Sequence, residues 1–409
     1  MTPDDLRRAL PVLDSFVERF APLLGQDSRS ARAHAYLRGL LLDNGDNKTA
    51  EAIALKVHGD TAQVRSTQVF LADSPWEDAP LRDELATWVA AELGSPAGVI
   101  VIDETSFPKC GDKSVGVQRQ YCGELGKKAN CQVAVYAAYA GDWGHTLLDT
   151  RLYLPEDGWA DNPERRARAG VPERVAFRTK PELALELVAR LGGVLPHGWV
   201  TFDEGYGRDG VFLSGLEELG ERYVGEVPRD TRFWLECPEM LPPEKGPKGR
   251  PRLAERLHPS APRPVEAEAV AVSLPAGAWR RVAFREGSKG TQFAEFAAVR
   301  AYPVRDGLPG PEVWLLLERS LGQEVKAKYY VSNAAADCPL AELAAAGHRR
   351  YPVEECFLRG KGELGMGDYE VQGWRGWHHH QTLVMLGMWF LLLWSRELGE
   401  KRRRAGDAA

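Results

Sequence analysis

The chain has 409 residues, which is long for a single hydrophobic core and predicts two or three domains. Hydrophobic residues make up 44% and charged residues 27%, which excludes a disordered or fibrous protein. The formal net charge of -6 argues against a uniformly basic nucleic-acid-binding protein. Lys and Arg are nevertheless dense in residues 245–263 and in the EKRRRAG tail, and such basic islands can contact DNA phosphates.

Cysteine usage and hydropathy indicate a reducing, aqueous compartment. The six cysteines include no C-x-x-C pair, which disfavours a zinc ribbon or a redox motif. The N-terminus lacks the apolar segment of a signal peptide. The apolar run 382–394 has 13 residues, whereas about 20 are needed to cross a bilayer, so a buried core helix is favoured. We expect a cytoplasmic, nucleoid-associated protein without a membrane partner.

Residues 1–94 predict an N-terminal helical domain, because apolar residues recur at helical spacing. The segments 48–58 and 61–72, joined by Gly59 and Asp60, are typical of a helix-turn-helix and hence of a DNA-binding domain. A plain helical bundle would produce the same pattern.

The pattern changes at residue 95 to that of an α/β fold. Short apolar runs predict strands at 97–104, 130–140, 145–155, 198–204 and 221–228, and helical patterns cover 181–193 and 211–220. We therefore predict that 95–228 form the first part of an α/β core with a mixed sheet flanked by helices. Residues 229–330 predict a β-rich insertion, with a loop at 238–264 and strands within 269–284, 292–305 and 312–320. Helices return at 339–347, at 353–365 and after His378, so 331–409 form the second part of the core.

Two aspartates end apolar strand patterns in equivalent positions. Asp103 and Asp203 each follow a buried run, where an ionised carboxylate costs free energy unless a partner compensates it. A shared divalent metal would do so, since Mg²⁺ prefers oxygen ligands and paired metals catalyse phosphoryl transfer. Alternatively, each aspartate caps the turn that follows it.

A third carboxylate lies in a predicted helix. Arg350, Glu354 and Lys361 are spaced by 4 and 7 residues, which places them on one helical face if the helix begins near Arg350. Pro352 suits the first turn. One acid between two bases fits a site that holds a metal and a phosphate. A solvated i,i+4 salt bridge is the alternative, and Glu355 competes for the carboxylate role.

Three stretches resemble bacterial insertion-sequence transposases of the DDE superfamily. They are VIDETSFPKCGDKSVGVQRQYCGELGKKANCQVAV (101–135), WVTFDEGYGRDGVFLSGLEELGERYVGEV (199–227), and YYVSNAAADCPLAELA with HRRYPVEECFLRGKGELGMGDYEVQGWRGWHHHQTLVML (329–344, 348–386). The resemblance covers about residues 30–395. It implies an RNase H-like catalytic domain of the type with a β-rich insertion and a Tyr–Arg–Glu–Lys signature.

The resemblance also implies site residues and a reaction. Asp103, Asp203 and Glu354 match the catalytic carboxylates, which would hold two Mg²⁺ or Mn²⁺ ions. Arg350 and Lys361 match the signature bases that contact DNA phosphates, whereas the signature tyrosine falls on Gly347. The implied reaction is cut-and-paste: cleavage at the inverted-repeat ends of double-stranded DNA and strand transfer into a target, by a homodimer that holds both ends. A transposase-derived DNA-binding protein and an RNase H-like nuclease without strand transfer are the alternatives.

Further DNA contacts are predicted from basic residues near these motifs. They are Lys109, Lys113 and Arg119 after the first aspartate, with Lys127 and Lys128; Lys248, Arg250 and Arg252 in the predicted loop; and Arg375 with His378 before the last helix. Three adjacent histidines, 378 to 380, point in different directions on a helix, which disfavours a shared metal site. Trp279 and Trp314 are candidates for holding a flipped base, as in some relatives, although core packing is the alternative.

Overall fold

The structure is a computed structural model that describes residues 3–42, 47–243, 254–287, 290–322 and 326–406. The chain forms two compact units, one of residues 1–197 and 351–409 and one of residues 198–350. The predicted α/β class, with a mixed sheet and flanking helices, is confirmed. The four segments predicted from the sequence are finer than this division and stay a prediction.

The first unit begins with six helices: α1 (Pro3–Glu18), α2 (Ala21–Leu24), α3 (Asp27–Leu41), α4 (Ala50–His58), α5 (Val64–Ala72) and α6 (Asp78–Leu93). Thr49 caps α4 by accepting a hydrogen bond from the Ala52 N–H at 3.1 Å. Gly59 ends α4 with a φ of 78°, a left-handed conformation that glycine adopts without a Cβ clash. The sequence therefore places a sharp turn between α4 and α5, where a helix-turn-helix was predicted.

Four antiparallel strands form the sheet of this unit: β1 (Val99–Pro108), β2 (Gln118–Cys122), β3 (Lys127–Ala140) and β4 (His145–Leu152). Both β1 and β4 pair with β3, which also pairs with β2. The register places Asp103 opposite Tyr136 and Glu104 opposite Val135. Because side chains alternate between faces of a strand, Asp103 and Glu104 lie on opposite faces.

Three helices pack on this sheet: α8 (Lys180–Gly192), and the two helices that follow the second unit in the chain, α13 (Pro352–Glu363) and α14 (Trp374–Gly406). The short helix α7 (Pro163–Arg168) lies between β4 and α8 in the chain. The apolar run 382–394 lies within α14, where Leu383, Trp389 and Trp394 are buried, as expected of a core helix. In the part of the chain that the structure describes, no helix has the length and apolar content needed to cross a membrane.

The second unit begins with β5 (Trp199–Phe202), α9 (Glu204–Gly207), α10 (Gly210–Glu218) and β6 (Tyr223–Val227). It continues with β7 (Arg232–Trp234), β8 (Met240–Leu241), β9 (Arg256–Leu257), β10 (Val265–Glu266), α11 (Ala267–Ser273), β11 (Arg280–Gly287), β12 (Gly290–Arg305), β13 (Leu308–Pro309), β14 (Val313–Ser320), β15 (Ala327–Ser332) and α12 (Leu340–His348). Its sheet runs β5-β6-β15-β14-β12, parallel between β5 and β6 and antiparallel elsewhere.

One predicted strand is wrong in its first half. Residues 269–284 were predicted as a strand. In the structure α11 continues to Ser273, and β11 begins at Arg280. Alternating Ala and Val fit a strand by period, yet the residues that α11 buries are Ala267 and Val270, three positions apart. The spacing of these two buried residues is that of a helix, and residues 267–273 accordingly form a helix rather than a strand.

Candidate active site

Asp103 is buried within β1. Its side chain is 8% exposed, and its Oδ1 accepts a hydrogen bond from the Glu104 N–H at 2.7 Å. Tyr136, which lies opposite Asp103, packs its ring 5.5 Å from the ring of Phe357 in α13. Residues opposite each other in antiparallel strands share a face, so Asp103 lies on the face of the sheet that α13 covers.

Glu354 and Glu355 differ in their surroundings. Both lie in the first turn of α13. Glu355 accepts a hydrogen bond from Arg359 at 2.5 Å, and its carboxylate lies 3.4 Å from His145. Glu354 is exposed and lines a cavity, three residues before Phe357 and hence on the same helical face.

That cavity, of about 550 Å³, lies along β1 between α13 and the turn after β2. It is lined by Glu104, Thr105 and Ser106 of β1, by Tyr121, Gly123, Glu124 and Val133, and by Glu354, Phe357, Leu358, Lys361 and Gly362 of α13. Lys361 donates a hydrogen bond to the Ser106 carbonyl at 3.2 Å and forms an ion pair with Glu124. Glu354 and Lys361, two helical turns apart on α13, therefore line the same cavity.

Glu104 is an acidic residue among those that line the cavity, and it was not predicted as a site residue. It forms an ion pair with Lys180 at 2.5 Å, on the face of β1 opposite to Asp103. The predicted strand ended at residue 104, but β1 continues to Pro108, so Glu104 lies within the strand. The polar sequence Asp-Glu-Thr-Ser inside an otherwise apolar strand was the available signal.

Asp203 belongs to the second unit and follows β5 directly. Its Oδ1 accepts hydrogen bonds from the N–H groups of Gly205, at 2.9 Å, and Tyr206, at 3.4 Å, and so caps α9. The capping role considered from the sequence is thus present in the structure, and both bonds use the same carboxylate oxygen. A Cβ on Gly207 would lie 1.9 Å from the Glu226 carbonyl oxygen, so glycine is required for α9 to pack on β6.

Arg350 does not share a helical face with Glu354, because α13 begins at Pro352. The expected face from Arg350 to Lys361 is therefore wrong at its first member, although Pro352 occupies the first turn as predicted. Arg350 lies at the end of the second unit, where its Nε is 4.0 Å from Glu226. Gly347, at the position of the signature tyrosine, lies in α12, and Tyr351 is 47% exposed.

The donor chemistry of the first unit suits a hard cation. The ionisable side chains that line the cavity are carboxylates, Lys361 and Tyr121, without histidine or cysteine, and Asp103 adds an oxygen donor on the same face as α13. In the ranges that the structure describes, no three His, Cys, Asp or Glu side chains are grouped to hold a metal ion. The fit to Mg²⁺ or Mn²⁺ is therefore one of ligand type alone, since both ions prefer oxygen donors.

The other predicted DNA-contact residues differ in accessibility. Lys113, Arg119 and Arg375 are exposed, and Arg375 donates to the Asp73 carbonyl oxygen at 3.1 Å. Lys109 donates to the Tyr369 carbonyl at 3.1 Å, and burial lowers the pKa of its ammonium group to about 8. Lys248, Arg250 and Arg252 lie outside the described residues.

His378 is enclosed rather than presented to solvent. Its side chain is 6% exposed, its Nδ1 lies 2.9 Å from the Trp374 carbonyl oxygen, and burial lowers its pKa to about 4. The predicted DNA contact by His378 does not agree with this position, because a buried neutral imidazole cannot reach a phosphate.

Trp279 and Trp314 are both half-buried in the second unit. The guanidinium of Arg319 lies 4.3 Å from the ring centre of Trp279. The indole N–H of Trp314 donates to the Ala335 carbonyl at 3.0 Å, and Arg300 lies 4.9 Å from its ring centre. Each ring thus has one face taken by an arginine.

Sequence comparison identifies the family to which this chain belongs. The DDE superfamily endonuclease family matches residues 19–291, so this chain belongs to that family. A curated relative, the "Probable transposase for insertion sequence element IS701" of Microchaete diplosiphon, is 33% identical over 202 residues. That match covers 48% of this chain and 49% of the relative, so it spans about half the length of each.

Among solved structures, the NurA nuclease from Sulfolobus solfataricus aligns with 73% of this chain and 91% of its own. The identity is 12% and the TM-score 0.29, a likeness too low to support an argument about fold or activity.

Proposed function

We propose that this protein is a DNA transposase that cleaves the inverted-repeat ends of a mobile element and joins them to target DNA. The observation that carries the proposal is the cavity of the first unit, where Glu354 and Lys361 meet the polar half of β1. The family match and the similarity to a transposase over half its length support it.

We assign Asp103, Asp203 and Glu354 as the ligands of two Mg²⁺ or Mn²⁺ ions. When bound, such ions activate the attacking oxygen and stabilise the leaving oxygen of an in-line displacement. The burial of Asp103 supports this role, because an ionised carboxylate in a low-dielectric setting gains most from a nearby cation. Glu354 is preferred to Glu355 because Glu354 lines the cavity beside β1, together with Phe357 and Lys361 of the same helix.

Lys361 is assigned to a DNA phosphate beside the cut. Its ammonium group borders the cavity next to Glu124 and can exchange that carboxylate for a phosphate oxygen. Exposed Lys113, Arg119 and Arg375, together with Arg350, are proposed to bind the flanking duplex. A homodimer is proposed as the assembly, because the two ends must be held together for a cut-and-paste reaction.

Strand transfer distinguishes a transposase from a nuclease that only cuts. The test uses a labelled duplex that carries an element end already cut to a free 3′ hydroxyl, a supercoiled target plasmid, and Mg²⁺ or Mn²⁺. We expect labelled end joined to plasmid with the wild type and none with Asp103→Asn. Cleavage of intact ends without any joined product would favour the nuclease alternative.

A further inference from the structure

A basic groove lies between α3 and α5 of the first unit, in the helical layer. Its volume is about 600 Å³. Arg29 and Arg32 of α3 and Arg65 of α5 line it, and Asp73 is the one acidic residue among its lining residues. Arg375 adds a fourth guanidinium near Asp73, to whose carbonyl oxygen it donates a hydrogen bond.

The three arginines that line the groove, Arg29, Arg32 and Arg65, form no ion pairs with carboxylates of the described residues. Arg29 donates to the Leu24 carbonyl at 3.2 Å and Arg32 to the Ser28 carbonyl at 3.0 Å. Among the residues that the structure describes, no carboxylate lies within 4.0 Å of the guanidinium of Arg29, Arg32 or Arg65. Many other arginines of this unit do form ion pairs: Arg19, Arg82, Arg151, Arg178, Arg190, Arg359 and Arg396.

The α5 wall of the groove carries Arg65 and Ser66 beside Val69, and Asp73 directly follows the helix. Arg65, Ser66, Val69 and Asp73 line the groove at spacings of 1, 4 and 8 residues from Arg65, which is the periodicity of a single face. Ser28 and Gln26 are exposed on the opposite wall and offer neutral hydrogen-bonding groups. The groove therefore combines fixed positive charge with neutral donors.

We propose that this groove binds the phosphodiester backbone of duplex DNA, through Arg29, Arg32 and Arg65. The chain carries a net charge of -6, so contact with a polyanion requires a local surface where positive charge is not compensated. Guanidinium groups match phosphate oxygens in bidentate geometry. The inference rests on the proposed function, because that function supplies duplex DNA as the ligand.

The test measures equilibrium binding of wild-type protein to a terminal inverted-repeat duplex and to a scrambled duplex, without divalent metal, across a series of salt concentrations. The variants are Arg32→Gln with Arg65→Gln, and the same pair with Arg29→Gln. Arg178→Gln is the matched control, since Arg178 is 51% exposed but paired with Glu186. Thermal unfolding verifies that each variant is folded.

We expect the slope of log affinity against log salt to become shallower by about 1 for each arginine removed, equally for both duplexes. The control is expected to keep the wild-type slope. An unchanged slope in the folded triple variant would overturn the inference, as would binding of RNA or an acidic protein in place of duplex DNA. If wild type binds DNA through the groove but never cleaves it, the proposed function fails and the groove assignment stands.

Discussion

Tyr136 lies directly opposite Asp103 in the register of β1 and β3, and its ring packs 5.5 Å from Phe357. The Tyr136 hydroxyl donates to Gln381 of α14 at 2.9 Å. One buried aromatic side chain thus connects the strand of Asp103 with the helix of Glu354 and with the core helix.

The different surroundings of Glu354 and Glu355 lead to a paired prediction. Glu354→Gln is expected to lower the rate of DNA cleavage at least a thousandfold, about 4 kcal/mol of transition-state stabilisation, because a metal ligand is removed. Glu355→Gln is expected to retain cleavage within about tenfold. Single-turnover cleavage of an inverted-repeat duplex measures both, and the opposite ranking would assign the site to Glu355.

Lys361 is predicted to contact one phosphate. Lys361→Gln should make the salt dependence of DNA binding shallower by about 1 and weaken binding alike for all duplex sequences. Lys361→Arg preserves the charge and serves as the control. A Lys361→Gln variant that discriminates less between duplex sequences, with an unchanged salt slope, would indicate contact with a base instead.

Asp149 is predicted to be essential for stability. Burial alone raises the pKa of this carboxyl group, but Arg82, Arg151 and Arg190 outweigh burial and hold it well below its usual value. Asp149→Asn leaves these arginines without their shared anion and should lower the free energy of unfolding by about 3–5 kcal/mol at pH 7.

Since the folded-state pKa of Asp149 is depressed, its contribution is complete above the unfolded value of 3.8 and is lost as the pH falls through the folded value. Chemical denaturation of wild type and Asp149→Asn at pH 7 gives the difference. Equal stabilities would show that the arginines find other partners.

Buried histidines are predicted to make the fold sensitive to mild acid. The Tyr36 hydroxyl lies 2.9 Å from Nδ1 of His380 and the Gly365 carbonyl oxygen 3.1 Å from its Nε2, and burial lowers its pKa from 6.5 to about 4. Between these values the unfolded chain binds the proton and the folded chain does not, so stability decreases as the pH falls from 6.5 to 4.

His380→Gln should make this dependence shallower by about 1.4 kcal/mol per pH unit between pH 6 and pH 4.5. The measurement is denaturant unfolding of wild type and variant across that range. Parallel profiles would mean that His380 is protonated in the folded protein.

Much of the fold can be predicted from local sequence pattern, whereas the candidate site can be predicted only in part. The apolar runs ending near Asp103 and Asp203 form β1 and β5, and the periodic segments form α8, α10 and α14, because burial of an apolar face dominates in each. The alternation of Ala and Val before Trp279 misleads, since Ala267 and Val270 also satisfy a helix.

The relationships that the sequence could not show are tertiary. Arg350 lies outside α13 because the helix begins at Pro352. Sequence pattern alone does not fix the first residue of a helix. The burial of His378 depends on packing between distant segments. The absence of carboxylates around Arg29, Arg32 and Arg65 likewise reflects helices brought together by the fold.

Asp103 is proposed to serve metal-dependent DNA cleavage. The most direct test compares wild type and Asp103→Asn for cleavage of a duplex carrying the element's inverted repeat, with Mg²⁺, with Mn²⁺ and with excess chelator, after verifying equal DNA binding and equal thermal unfolding. We predict cleavage by the wild type with either metal, none with chelator, and a loss of at least a thousandfold in the variant. Cleavage by folded Asp103→Asn at the wild-type rate would contradict the account.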